Sequence, residues 1–547
     1  MLKLEPIPFL LSCKTYGHWG LVLVMQLIVK LATKLIIYLS SRKRYTLLIV
    51  IYKIIDLLRY IYLFLLLSYI LPLSVSAQNS PPSAQLSAVK SVLIQPLTDK
   101  QRQLLKFKLE PAQNWRFSYF NETVFNSKMV VVEAGNKANP PLLLVHGLGE
   151  LAMQDWFSVI PTLAENYYVI AVDLPGFGNS ESPQGRYSPH NYAAVLAQVV
   201  ELYSARPVTV IGHSMGGAVS LSFAGLYPQQ LNKLVLVDAA GVLQKVAFLK
   251  PITNIVIEDS WLPKFVRTKL AQLNDFTTGL IELGAIDSYF SDLLQRSDST
   301  WNALMGEQPN MNAALSLVEQ DYSNIVANLN TQTYIIWGER DNIAPLRTAK
   351  VLQHRLANSE LMTIAQAGHV PMKSATAEFL ALLNHALETP VVARKEQPHE
   401  VVMQSHLICK DRHSQTFSGH YKKVLISGCN NILLKDMTAQ SIAITDSLVR
   451  LENITITASD LGLEIVDSVV EATNVTINAR NGVELVGARF DGAGVEINAT
   501  ALAMTVKTQS NIIFSLSKIT SGHFQGNVHQ AFELQNRSVD EYLQQAN

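Results

Sequence analysis

Five continuous apolar runs, each closed by a glycine or a turn, constrain this chain more than any other feature. They are "PPLLLVHG" (Pro140–Gly147), "YYVIAVDLPG" (Tyr167–Gly176), "PVTVIGHS" (ending at Ser214), "KLVLVDAAG" (ending at Gly241) and "TYIIWGERD" (ending at Asp341). A strand with one wet face alternates apolar and polar residues, whereas a run apolar at nearly every position must be covered on both faces. Helical patterns such as Asn191–Ser204 and Met215–Tyr227 lie between the runs. Apolar strand, helix, apolar strand predicts an α/β fold with a doubly wound, mostly parallel sheet. "KMVVVEAG" (Lys128–Gly135) and "ELMTIAQ" add further strands. Such sheets bind ligands beyond the C-terminal ends of their strands, so the residues closing each run matter most.

The third run closes in Gly212-His213-Ser214-Met215-Gly216, with a helical pattern after it. G-x-S-x-G between strand and helix places the serine in a strained turn with its oxygen exposed. Strand and helix approach closely there, which is why glycines flank the serine. A serine hydroxyl needs a base to become nucleophilic, and the base needs an acid to orient it. His369 in "AGHVPM" follows the last strand, and Asp341 ends the strand before it. The order Ser214, Asp341, His369 is the one this arrangement requires. An oxyanion would be held by the N–H of Met215, at the helix start, and of Leu148 in "HGLG" (His146–Gly149). Asp238 also follows a strand and is the rival acid. A helix-capping serine would explain Ser214 alone, but not the glycines, HGLG and the ordered Asp and His together. His146 and His213 occupy motif positions, His354 and His385 fall on helices, and His413 and His420 lie near the C-terminus. None has metal-ligand spacing, so neither metal nor cofactor is expected.

About 80 residues, Val242 to Ala327, separate the fourth and fifth runs. They carry Phe248, Trp261, Phe265, Phe276, Tyr289, Phe290, Trp301, Met305 and Met311 at helical spacing, which reads as a helical cap over the strand ends. Most of these side chains form the cap's own core.

Residues 114–390 resemble the α/β-hydrolase superfamily, in its lidded esterase and lipase branch. "LLLVHGLGE", "VIAVDLPGFGNSES", "VIGHSMGGAVS", "LVLVDAAG", "WGERDNIAP" and "AGHVPM" follow that family's order and spacing. The resemblance implies a Ser214–His369–Asp341 triad and a cap between the strands ending at Asp238 and Trp337. Some relatives carry the acid where Asp238 stands. Serine as nucleophile argues against the epoxide-hydrolase and dehalogenase relatives, which use aspartate. The function expected is an exported serine hydrolase, carboxylesterase- or lipase-like, acting on a small-molecule or lipid ester through an acyl-enzyme. A thioesterase or C–C bond hydrolase would share the triad. Two alternatives stand beside it: a carbohydrate (acetyl) esterase directed by a glycan-binding C-terminal domain, and a surface-attachment protein with a degenerate hydrolase domain.

Beyond the proline-bearing linker "ETPVVARKEQPHEVV" (Glu388–Val402) the composition changes to short alternating strands rich in Asn and Thr. "ENITITAS" begins at Glu452, "TNVTINAR" at Thr473 and "AGVEINAT" at Ala493, in steps of 21 and 20. Ile444, Ile465, Leu485 and Val506 form a second column with steps of 21, 20 and 21. This period without helical phase predicts a parallel β-helix-like stack, with an irregular antiparallel domain as the alternative. No column of carboxylates or basic groups marks a second active site, so the stack is expected to be a scaffold or a polysaccharide-binding module. Cys409 and Cys429, 20 residues apart, would join neighbouring coils if paired.

The first 60 residues hold nine Lys/Arg and two acids, which leaves 35 basic and 42 acidic residues downstream. A mildly acidic body gives no reason to expect nucleic-acid binding. "YIYLFLLLSYILPLSVSA" (Tyr60–Ala77) carries no charge, follows Arg59, and ends in small residues. It reads as a secretory signal cleaved after Ala77, with translation starting downstream of Met1, or as an uncleaved membrane anchor. Either reading places the bulk of the chain outside the cytoplasm. The organisation expected is a signal or anchor region over 1–77, a hydrolase domain over 78–395 with its cap at about 242–327, and a β-helix-like domain over 403–547.

Overall fold

The computed structural model describes residues 94–243, 301–302, 305–306, 308–391, 402–520 and 523–526. The expected signal or anchor segment and most of the expected cap lie outside the described residues.

The apolar runs become strands of a nine-stranded sheet. In chain order these are β1 (Ile94–Pro96), β2 (Arg116–Glu122), β3 (Ser127–Ala134), β4 (Pro141–Val145), β5 (Tyr168–Val172), β6 (Val208–His213), β7 (Leu231–Val237), β8 (Thr333–Gly338) and β9 (Ser359–Ile364). Their spatial order is β1-β2-β3-β5-β4-β6-β7-β8-β9. From β5 to β9 every neighbouring pair is parallel, while β1, β2 and β3 form an antiparallel edge joined to β5. The edge differs from the expected alternation of strand and helix. The residues ahead of the first apolar run supply β1, β2, β3 and a one-turn helix, Asp99–Arg102.

Both faces of the central strands are covered. Leu143 and Val145 of β4 join one apolar cluster with the helices Pro189–Tyr203 and Met215–Leu226. Leu142 and Leu144 join another, with residues of the helices Ile160–Asn166 and Thr376–Glu388. Side chains alternate across the strand, so a run apolar throughout serves two cores. Each fully buried Leu or Val contributes about 1.5–3 kcal/mol of transfer free energy.

The described end of the expected cap is helical, with Pro309–Glu319 and Ser323–Asn328. Trp301 and Met305 are buried. Asn312 ties this end to the sheet domain: its Oδ1 accepts the Trp301 Nε1–H at 3.1 Å and the Tyr187 N–H at 3.0 Å, and its Nδ2 donates to the Gly185 carbonyl at 2.8 Å. Among the described residues no helix is long and apolar enough to cross a membrane.

The C-terminal region is all-β. Its strands include β10 (Gln404–Lys410), β11 (Thr416–Ser427), β12 (Ile432–Thr445), β13 (Leu448–Thr457), β14 (Leu461–Val466), β15 (Val469–Val486), β16 (Arg489–Ala493), β17 (Glu496–Val506) and β18 (Asn511–Ser515). Every pairing among them is parallel, which rules out the antiparallel alternative for the described residues. The column read from the sequence is a physical column: Ile444 pairs with Ile465, Ile465 with Leu485, and Leu485 with Val506. It extends back through Ile426 to Cys409. The Asn-rich composition also has a cause. Corner residues Asp446 (φ 48°), Asp467 (φ 46°) and Gly487 (φ 58°) recur once per coil, as do Asn453 (φ 54°), Asn474 (φ 54°) and Gly494 (φ 66°). Left-handed backbone is tolerated best by Gly, Asn and Asp, so each coil needs one of them at each such corner. Cys409 and Cys429 form a disulfide with Cα atoms 6.7 Å apart, closing the first coil onto the second.

One helix, Leu346–Arg355, joins the stack to the sheet domain. The half-buried Arg347 fork donates to Thr473 Oγ1 (2.9 Å), Asp491 Oδ1 (3.0 Å), and the carbonyls of Ala472 (2.7 Å) and Asp491 (3.1 Å). Lys350 pairs with Glu452 at 2.9 Å, and Arg355 pairs with Glu496. A planar guanidinium satisfied on both edges holds a fixed orientation that an ammonium would not.

Candidate active site

Ser214 stands between the end of β6 and the start of the helix Met215–Leu226, with φ 54° and ψ −122°. This conformation is sparsely populated for a residue with a side chain, and it persists because neighbours over-determine it. The Ser214 N–H donates to the Val237 carbonyl at 3.0 Å, and its carbonyl accepts from Gly217 (2.9 Å) and Ala240 (3.1 Å). Gly216 is needed because a Cβ there would lie 2.3 Å from the Val145 carbonyl oxygen, backbone that cannot move aside. Gly147 is needed because a Cβ there would lie 2.8 Å from the Ser214 Cβ.

The residues expected to act together converge. Ser214 Oγ lies 2.9 Å from His369 Nε2, and His369 Nδ1 lies 2.8 Å from Asp341 Oδ2. A carboxylate only accepts, so Nδ1 carries the proton and Nε2 is left to accept from the serine hydroxyl. Asp341 Oδ1 accepts the N–H groups of Ile343 (2.7 Å) and Ala344 (2.9 Å). Burial alone would raise the Asp341 carboxyl. The His369 hydrogen bond and charge, the Ala344 N–H and Asp238 together outweigh burial and hold it below the usual carboxylate range.

The N–H groups of Leu148 and Met215 have no hydrogen-bond partner among the described residues. Met215 opens a helix, whose first N–H groups have no intrahelical acceptor. The next residue after Leu148, Gly149, donates to Asn310 Oδ1 at 3.1 Å, so the end of the expected cap restrains the HGLG loop.

Two histidines read as motif positions have specific tasks. His146 is fully buried, and its Nε2 accepts the Leu174 N–H at 3.0 Å. Its Nδ1 therefore carries the proton and donates to the Gly147 carbonyl at 2.6 Å, fixing the first turn of HGLG. His213 Nε2–H donates to the His369 carbonyl at 2.6 Å, anchoring the loop that carries the base. Burial pushes both rings down to about 4, so both are neutral near pH 7; proximity to His369 adds to the shift of His213. Asp173 accepts the N–H groups of Met153 (2.9 Å) and Asn179 (2.8 Å), and burial raises it to about 7. Of the remaining histidines, His385 pairs with Glu360 at 3.2 Å on an exposed helix face, and His413 bridges to Asn430 in the stack.

The rival acid, Asp238, does not touch the base in place of Asp341. Its Oδ1 accepts the Gly338 N–H at 2.9 Å, and its carboxyl lies within 4.8 Å of both Asp341 and His369 without a hydrogen bond to the imidazole among the described residues. Asn310 was not legible as a site residue, nor were the tasks of His213 and Asp238, because each depends on a contact over 100 residues or more of sequence.

Comparisons agree with this geometry. A family model described as alpha/beta hydrolase fold matches residues 140–375, which end before the first strand of the stack. Lipase 3 of a Moraxella species is 28% identical over 261 residues, covering 45% of this chain and 77% of its own length. The uncharacterized hydrolase YugF of Bacillus subtilis is 30% identical over 244 residues, covering 43% of this chain and 85% of its own. The 2-hydroxy-6-oxo-2,4-heptadienoate hydrolase of Pseudomonas putida is 27% identical over 270 residues, covering 47% and 90%.

Proposed function

Since the chain belongs to the α/β-hydrolase family and is a lipase- and esterase-like hydrolase, we propose that it cleaves carboxylic esters through an acyl-enzyme on Ser214. The observation that carries this reading is the unbroken relay from Ser214 Oγ through His369 to Asp341, beside the Leu148 and Met215 N–H groups, which have no partner among the described residues. His369 Nε2 takes the hydroxyl proton as Ser214 Oγ bonds to the ester carbonyl carbon. The carbonyl oxygen becomes an oxyanion, held by the Leu148 and Met215 N–H groups. The tetrahedral centre collapses, its C–O bond to the alcohol breaks, and His369 protonates the leaving oxygen. Water, deprotonated by the same imidazole, then cleaves the acyl-enzyme and returns the proton to Ser214. Asp341 holds the tautomer throughout.

Ser214→Ala is expected to abolish turnover of p-nitrophenyl esters and labelling by a fluorophosphonate. Retained turnover above a few per cent of the parent, at unchanged folding, would sink the assignment. A surface-attachment protein with a degenerate domain should not react with the fluorophosphonate at all, and the intact relay supports the enzyme reading over that one. Export is part of the proposal. It is supported by the charge-free run Tyr60–Ala77 and by the Cys409–Cys429 disulfide, a bond favoured in oxidising compartments. Finding the polypeptide with a reduced Cys409–Cys429 pair in the cytoplasm would refute it.

A further inference from the structure

Asp238 is a fully buried carboxyl at the end of β7, in the left-handed region at φ 43°. One of its oxygens, Oδ1, is fixed by the Gly338 N–H at 2.9 Å. The other, Oδ2, is buried and has no partner if the group is read as a carboxylate. An orphaned carboxylate oxygen in a dry site is costly, so a folded chain needs an account of it.

The neighbours supply that account. One polar atom each from Asp238, Asp341 and His369 lies within 4.8 Å of the other two. The titratable groups facing the two carboxyls are His369 and, beside it, His213, whose ring centroid is 5.0 Å from that of His369. No lysine or arginine pairs with either carboxyl among the described residues. Two ionised carboxylates with oxygens within 4.8 Å of one another repel strongly in a buried site. One shared proton removes that repulsion. Donor counts decide which carboxyl holds it. Asp341 receives three N–H groups, from Ile343, Ala344 and His369, whereas Asp238 receives one. The anion belongs where the donors are, and the proton where they are not.

We propose that Asp238 is a neutral carboxylic acid whose Oδ2–H donates to the Asp341 carboxylate, so that it is a positioning residue of the triad and not a spare acid. The proton occupies the orphan oxygen and gives it a partner. Burial, then the Asp341 charge, raises Asp238 well above the usual carboxylate range, in agreement with the geometry. The same three residues could be mistaken for a metal-ligand set, but the three N–H groups aimed at Asp341 would repel a cation. The proposal rests on the Ser214–His369–Asp341 reading for its catalytic consequence, though not for the protonation itself.

The test uses the full chain. Infrared difference spectra of Asp238→Asn against the parent at pH 7 should show one protonated-carboxyl band lost in the variant. Absence of that band overturns the proposal, whatever the enzyme's activity. Asp238→Gly removes the carboxyl at a backbone angle that glycine accepts. It should lower kcat/KM about tenfold. It should also move the acid limb of the pH–rate profile up by about half a unit, because an Asp341 without its donor is more negative and stabilises the protonated base. Asp238→Asn keeps both the donor and the acceptor and should restore most of the rate. An Asp238→Asn variant as impaired as Asp341→Asn would mean that Asp238 is the working acid. An Asp238→Gly variant with an unmoved rate and profile would mean that it does nothing. If Ser214→Ala instead remained active, the triad reading would fail while the infrared band still reported on Asp238.

Discussion

The sheet domain and the C-terminal stack both pair their strands in parallel, yet they use their sequences in opposite ways. In the sheet, β4 reads Pro-Leu-Leu-Leu-Val and is buried at every position, because helices lie on both faces. In the stack, β13 reads Leu-Val-Arg-Leu-Glu-Asn-Ile-Thr-Ile-Thr, and every position with an aliphatic side chain turned inward is followed by one turned outward. The sheet gathers irregularity at its strand ends: the strained Ser214, the Leu148 and Met215 N–H groups that lack a partner among the described residues, and the close pair of carboxyls. The stack spreads its special conformations evenly, with the same two left-handed corners recurring from coil to coil. Chemistry needs poised, under-satisfied groups in one place, whereas a scaffold needs each layer to be satisfied by the next.

That contrast can be broken in graded steps. The largest effect is expected from His369→Ala, which should lower kcat on p-nitrophenyl esters roughly 10⁴-fold. Thermal melting should hardly move, and a large loss of stability would mean that the site is structural. Ile465→Ala in the stack should do the reverse. It empties a buried position between Ile444 and Leu485 and should cost about 3 kcal/mol in denaturant unfolding. The folded fraction should keep its kcat, and a matching loss of kcat would show the two regions to be one catalytic unit.

Reducing the Cys409–Cys429 disulfide should cost about 2–3 kcal/mol, read as a lower denaturation midpoint, with ester turnover unchanged. The smallest effect concerns pH. A buried histidine lowered to about 4 contributes stability that is present above its unfolded value near 6.5 and is lost as pH falls toward 4. The unfolded chain takes up the proton first, so acid favours unfolding. At pH 5.5 the loss from His146 is about 1 kcal/mol. The gap in melting temperature between the parent and His146→Asn should therefore narrow from pH 7.5 to 5.5, and a constant gap would show that His146 does not titrate on unfolding.

Periodicity accounts for what was legible. The apolar runs announced β4 to β8, and the 20- and 21-residue steps announced the column Ile444, Ile465, Leu485, Val506, because both patterns are local and repeat. Gly, Ser, Asp and His in their order marked the residues that converge at Ser214, since a strand–turn–helix leaves a short signature. The edge strand β2 was hidden because Arg-Phe-Ser-Tyr-Phe-Asn-Glu mixes polar and aromatic residues without a clean alternation. Asn310 against Gly149 and His213 against the His369 carbonyl left no trace, since nothing near them in sequence records a partner over 150 residues away. The pairing of Asp238 with Asp341 was half visible: both residues stood out as acids at strand ends, and only their proximity showed that the two were partners and not rivals.

The seam made by the helix Leu346–Arg355 bears on how such a chain can change length. Repeat stacks ordinarily gain or lose a layer by duplication or deletion, because each layer sees only its neighbours. Here Lys350 grips Glu452 in one coil, Arg347 grips Thr473 in the next and Asp491 in a third, and Arg355 grips Glu496. Three successive layers are thus indexed to a single rigid rod. A coil inserted or removed inside that window would carry the partners on one side of it out of reach of the helix. The modular part of the molecule has therefore been made non-modular where it meets the hydrolase, and variation in its length is excluded from these layers.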